Sequence, residues 1–140
     1  MQRSPNAMAA VGIGVSDLKR SVDFYTRVLG MKEMQTFKLP HMEEVVVGYE
    51  GRTAVVLMHY IDGSQQHYAN NPVKLVFTVP DAKTLIDGIR KDGLEITREA
   101  EAYPGMGGTI IGLAKDPDGY VIELMQPVVA ASAKAEPVTA

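Results

Sequence analysis

Residues 116–124 read DPDGYVIEL, and this stretch decides the fold. Asp116, Pro117 and Gly119 suit the first, second and fourth positions of a type I turn. Tyr120 to Leu124 then reads as a strand. Alternation puts Tyr120, Ile122 and Leu124 on one face and Val121, Glu123 and Met125 on the other. The first face is apolar throughout and is expected to pack under a helix. Glu123 therefore stands on the opposite face among apolar neighbours, where a carboxylate is costly unless it is paired, protonated or bound to a metal. The function turns on what Glu123 faces.

Upstream, the same kinds of element recur. Ala9 to Val15 alternates, with Val11, Ile13 and Val15 on one side and the small residues Ala10, Gly12 and Gly14 on the other. Asp17 or Ser16 caps a helix whose expected buried stripe is Leu18, Val22, Tyr25 and Val28 or Leu29, with Gly30 at its C-terminal stop. Strands are expected over 32–39, 43–49 and 53–60. After a polar segment at 61–72, a strand at 74–79 leads into a second helix capped by Asp81, with the stripe Ala82, Leu85, Ile86 and Ile89. Strands follow at 94–98, 109–114 and 120–126. The loop between them, 99–108, holds Pro104, Gly105, Gly107 and Gly108 and has the hinge residues of a lid.

This is an internal repeat. VSDLKRSVD from Val15 matches VPDAKTLID from Val79, with Asp17 and Asp81 standing 64 residues apart. AVVL from Ala54 matches YVIE from Tyr120 at a spacing of 66. On that alignment Ala10 corresponds to Lys74 and Leu57 to Glu123. The expected fold is α+β: paired β-α-β-β-β modules whose sheets form a concave cup. The boundaries are a flexible N-terminus (1–7), a first module (8–60), a linker (61–72), a second module (73–126) and a flexible tail (127–140). Ala10, Gly12, Leu57, His59, Lys74, Val76, Val121 and Glu123 are expected to face the cup, with Met125 beside them.

Composition excludes several chemistries. The chain has 140 residues, a formal charge of -3 and no cysteine. Thiol nucleophiles, disulfides and zinc–thiolate sites are ruled out. Mild acidity gives no reason to expect nucleic acid or an anionic membrane as partner, and no apolar run is long enough to span a bilayer. A cytoplasmic protein is the default expectation.

The paired modules, DLKRSVDFYTRVLGM near the start and DPDGYVIEL near the end resemble the vicinal oxygen chelate superfamily over roughly 8–126. The nearest pattern is that of the glyoxalase I and bleomycin-resistance proteins. The resemblance implies a small-molecule ligand, a homodimer, and one divalent ion held by four side chains, one from the first and last strand of each module. Those positions here are Ala10, Leu57, Lys74 and Glu123. Only Glu123 matches. Ala10 and Leu57 lack donor atoms, and an ammonium at Lys74 repels a cation. No metal and no other cofactor are therefore expected.

Lys74 and Glu123 have two readings. They form a salt bridge that stands in for the lost metal, or Lys74 anchors an anionic or carbonyl oxygen while Glu123 moves a proton. His59 reads as a general base or substrate hydrogen-bond partner, or as a rim histidine. Ala10, Gly12, Leu57, Val76, Val121 and Met125 are the expected substrate-binding wall. Three functions follow: a metal-independent lyase or isomerase for a small carbonyl or aromatic metabolite, a sequestration protein of the bleomycin-resistance type, or a glyoxalase-like metalloenzyme with relocated ligands.

Overall fold

A computed structural model of the chain describes residues 4–128. The tail expected beyond Val128, and residues 1–3, lie outside the described residues. The chain divides into two compact units. The first runs to Asn71 and takes in Asp116–Tyr120; the second holds Pro72–Lys115 and resumes at Val121.

The first unit is built from β1 (Ala10–Gly14), α1 (Leu18–Asp23), β2 (Lys32–Lys38), β3 (Met42–Gly48) and β4 (Ala54–Tyr60). The second contains β5 (Lys74–Thr78), α2 (Ala82–Lys91), β6 (Ile96–Ala102), β7 (Ile110–Lys115) and β8 (Val121–Gln126). The sheets run β1-β4-β3-β2 and β5-β8-β7-β6. In each, the outer pair β1–β4 or β5–β8 is parallel and the others antiparallel. A parallel pair needs a crossover connection, and the helix lies within it. The repeat read from the sequence is thus a structural repeat.

Both helices start as expected. Asp17 accepts a hydrogen bond from the Arg20 amide at 3.1 Å, and Asp81 accepts one from the Thr84 amide at 3.1 Å. Each satisfies an otherwise unpaired amide of the first turn. They end differently. α2 is regular and buries Ala82, Ile86 and Ile89. α1 gives way to a π-helical turn, Phe24–Val28. The wider turn shifts the buried face, so Ser21, Phe24, Tyr25 and Leu29 are buried while Leu18, Val22 and Val28 are only half-buried. The expected stripe missed Phe24 for this reason.

Segment 61–71 holds no helix or strand and lies against the first unit, with the Tyr68 hydroxyl accepting from the Tyr60 amide at 3.2 Å. One further expectation is corrected. Strand β6 runs on to Ala102, past the expected end at Arg98. The Gly-rich segment is a closed turn in which the Tyr103 amide donates to the Thr109 carbonyl at 2.8 Å and the Thr109 amide to the Met106 carbonyl at 3.1 Å. Of the methionines, Met31 and Met42 are core residues; Met34 and Met106 are exposed.

Candidate functional site

Register decides which side chains share a face. In the first unit Gly12 is opposite Val56 and Ile13 opposite Leu57. In the second, Val76 is opposite Glu123 and Phe77 opposite Leu124. Gly12 and Val76 are equivalent in the repeat, so the counterpart of Glu123 is Val56. Leu57 corresponds to Leu124. Both leucines are 0% exposed, on the core face of their sheets. The expected placement of Leu57 on the open face is therefore corrected. A one-residue slip in a strand reverses every side chain. The signal was available: VVL set against IEL aligns leucine with leucine, where AVVL set against YVIE does not.

His59 follows the same parity. It lies opposite Glu43 on β3, as Leu57 lies opposite Val45, and thus on the face that meets α1. There it helps line a groove of about 830 Å³ with Leu18, Val22, Thr26 and Glu43. Its Nδ1 stands 2.9 Å from the Val15 carbonyl, and its ring stacks on Tyr68 with centroids 5.9 Å apart. This is a held, half-buried histidine on the opposite face of its sheet from Val56. His41 and His67 are exposed.

The small-residue face is partly filled by the chain itself. A Cβ on Gly14 would meet the Tyr68 ring at 3.1 Å, and one on Gly12 would meet the Met58 sulfur at 3.1 Å. Ala10 heads the same strand and is half-buried.

The second unit's open face carries the pair expected from the sequence. The Lys74 ammonium lies 2.9 Å from Glu123 Oε1. The lysine side chain is 54% exposed and the glutamate 15%. The pair is reached from solvent at its cationic end, while the carboxylate is largely covered. Around it stand Val76, 52% exposed, and half-buried Val121, Met125 and Leu113, the last opposite Glu123 on β7. The ion pair shares this face with Lys115 of β7, opposite Val121, and Arg98 of β6, opposite Leu113.

The DPDG turn has a different task. The Gly119 amide donates to the Asp116 carbonyl at 2.9 Å, which closes the expected turn. The buried Asp116 carboxylate accepts from the Tyr25 hydroxyl at 2.6 Å and from the Asp118 and Tyr120 amides, each at 2.9 Å. Asp118 accepts from the Ser16 amide at 3.1 Å and its hydroxyl at 2.5 Å. The Tyr120 hydroxyl donates to the Gly14 carbonyl. Burial raises the Asp116 carboxyl above the usual carboxylate range, against these hydrogen bonds. Burial, then the charge of Asp116, pushes the Tyr25 phenol well above its ordinary value. This network was not foreseen, because it needs residues far apart in sequence.

The metal implied by the family resemblance does not fit these residues. In the first unit, Ala10 and Val56 (like Leu57) carry no donor. In the second, the one carboxylate already accepts an ammonium. Among the described residues no group of three or more His, Asp or Glu side chains is gathered to hold an ion.

Two four-stranded mixed sheets, each with its crossover helix, and one sheet bearing the polar pair define the class. The chain belongs to the Glyoxalase/Bleomycin resistance protein/Dioxygenase superfamily, whose family model matches residues 7–124. It is glyoxalase I-like: it is 39% identical over 117 residues to a lactoylglutathione lyase of Salmonella typhi, covering 80% of this chain and 86% of that one. Among solved structures it resembles the trypanothione-dependent glyoxalase I of Leishmania major, with a TM-score of 0.71, 29% identity and 86% of each chain covered. It also superposes on TnmS3, an antibiotic-binding protein from Streptomyces, with a TM-score of 0.70 over 91% of this chain and 100% of that one. At 19% identity that likeness shows the fold alone.

Proposed function

We propose that this chain is a glyoxalase-like isomerase or lyase that works on a small carbonyl compound without the divalent ion of its family. The observation that carries the reading is the Lys74–Glu123 pair at 2.9 Å, open at the ammonium and covered at the carboxylate. Lys74 holds the carbonyl oxygen and stabilises the negative charge that develops there when a neighbouring C–H bond is broken. Glu123 Oε1 accepts the ammonium, and its other oxygen takes the proton. In a 2-hydroxy carbonyl compound the same carboxyl then returns the proton to the former carbonyl carbon while the hydroxyl proton passes to the former carbonyl oxygen. In a compound without the hydroxyl it returns the proton to the carbon it came from; either way the step balances without an oxidant or a reductant. Val76, Val121 and Met125 supply the apolar wall. His59, on the helix side of its sheet, is given no part. We further propose that the protein is a cytoplasmic homodimer.

A second reading, sequestration of an apolar small molecule, is favoured by one observation, the 52% exposure of Val76 beside the pair. A third is a metalloenzyme with relocated ligands. One experiment separates the three. Chelated, dialysed protein is incubated in D2O with pyruvate, and exchange of its methyl protons is followed by NMR. The isomerase reading expects exchange without metal, lowered about 100-fold or more in Glu123→Gln. Exchange that appears only after Zn²⁺ or Ni²⁺ is restored supports the metalloenzyme. Ligand binding with no exchange under either condition supports sequestration.

A further inference from the structure

We propose that Lys115 is a second ligand-binding residue on the face of Glu123, and that Lys74 and Lys115 together select a ligand with a carboxylate beside its carbonyl group. The inference rests on the reading of the Lys74–Glu123 pair as a ligand site. Its starting point is the β-register. Lys74 of β5 and Lys115 of β7 are both partners of Val121 on β8. Cross-strand partners point to one side of a sheet. The three residues form one rung, with a lysine on each side of Val121, and Glu123 is two residues further along the central strand on the same side.

Strand spacing puts the two lysine backbones roughly 10 Å apart, with one strand between them. Their flexible four-carbon stems let both ammonium groups reach over Val121. Charge on this surface is unbalanced. Glu123 offsets Lys74. Lys115, half-buried, is outside that pair. Arg98 stands on the same side, opposite Leu113, but its guanidinium is already committed. It donates to the carbonyls of Glu99 at 3.1 Å and Glu101 at 3.2 Å and to that of Ile111, and it stacks on the Tyr103 ring at 4.9 Å. Those carbonyls are neutral, so Arg98 keeps its charge, and Glu101, opposite Ile111 on the same side, offsets it. Counting Lys74, Lys115 and Arg98 against Glu123 and Glu101, one net positive charge remains for the ligand.

A neutral ligand lying on Val121 and Val76 would take water from Lys115 and give nothing in return. A carboxylate offers an oxygen to each ammonium, and charge-assisted hydrogen bonds of this kind are stronger than neutral ones. The carbonyl next to it then lies toward Glu123, where a proton can be moved. The selected class is the small 2-oxo acid and its relatives, rather than a neutral ketone or aldehyde.

The test compares pyruvate with its methyl ester, which keeps the carbonyl and loses the charge. Isothermal titration is run on the wild-type chain, Lys115→Met, Lys115→Arg and Glu123→Gln. Pyruvate is expected to bind the wild type more tightly than the ester does, and about tenfold more weakly in Lys115→Met. Lys115→Arg, which keeps the charge, should retain binding, and ester binding should not respond to Lys115→Met. Glu123→Gln should bind pyruvate at least as well as the wild type while losing proton exchange. The proposal is overturned if pyruvate does not bind the wild type, if the ester binds as well as pyruvate, or if Lys115→Met leaves the pyruvate Kd unchanged. Undiminished exchange in Glu123→Gln removes the isomerase reading instead and leaves the anion site standing.

Discussion

The first unit and the second share a strand order and a register, yet they put opposite chemistry on equivalent positions. Where the first has Ala10 and Val56, the second has Lys74 and Glu123. Where α1 breaks into a π-helical turn, α2 stays regular. The first unit also borrows its main buried polar network from the far end of the chain, residues 116–120. Repetition fixes the backbone and the buried face of each strand. It leaves the open face free to differ, because nothing in the core depends on it. A site in such a fold is found by asking where the halves disagree on the open face alone.

The largest effect tests that register. Leu57→Glu places a carboxylate at a position with 0% exposure, whereas Val56→Glu places it on the half-buried open face. An unpaired charge in a core is among the few single changes that cost about 4 kcal/mol or more. Val56→Glu should cost about 1 kcal/mol or less. Urea midpoints of the two variants decide the matter, and equal losses would mean that the equivalence of Leu57 with Leu124 is mistaken.

A smaller effect separates two glycines, one in each unit, both at positive φ. Gly119 has φ +90, and a Cβ there would collide with the Asn70 side-chain oxygen and stand 3.2 Å from the Asn70 backbone nitrogen. Gly105 has φ +80 with nothing within 4 Å. An alanine at either site suffers the left-handed backbone, roughly 1–2 kcal/mol. Gly119→Ala adds the collision and should reach about 3 kcal/mol. If thermal unfolding ranks Gly105→Ala as the more damaging, the packing of 61–71 onto the DPDG turn is wrong.

The Lys74–Glu123 pair comes next. Its ammonium is half in solvent, so a double-mutant cycle of Lys74→Met and Glu123→Gln should return a coupling of only about 1 kcal/mol. The effect on proton exchange should be far larger than the effect on stability. A coupling of several kcal/mol with little loss of exchange would mark the pair as a structural brace.

What the sequence made legible follows the same division. The turn at 116–119, both Asp caps, the repeat and the buried trio Tyr120, Ile122 and Leu124 depend on local chemistry and alternation, and all could be read in advance. Lys74 and Glu123 were readable as a pair because the repeat placed their strands side by side. The face of Leu57 was misread through a one-residue shift in a short apolar run, where periodicity gives little guidance. His59 inherited that error. The hold of Tyr25 on Asp116 joins residues 91 apart in sequence, and no local pattern announces it.

The smallest effect contrasts two aspartates in pH. In the first unit, burial raises the Asp116 carboxyl above the ordinary value of 3.8. A raised folded-state value means the folded chain holds its proton more firmly than the unfolded chain. The stability Asp116 contributes is then fully present below about pH 3.8 and is lost as pH rises through the raised value. In the second unit, hydrogen bonds from the Thr84 hydroxyl and amide hold the Asp81 carboxyl below 3.8. Its contribution has the opposite sign: present above 3.8 and lost as pH falls through the lowered value. Asn keeps a side-chain acceptor at both positions and does not titrate. On acidification from about pH 7 to about pH 4, the wild type should gain stability relative to Asp116→Asn. Below about pH 4 it should lose stability relative to Asp81→Asn. Urea midpoints measured in parallel at each pH give both slopes. Slopes of the same sign would mean that Asp116 is not the desolvated carboxyl at the centre of the turn, and that the two ends of the repeat are held by one kind of interaction rather than two.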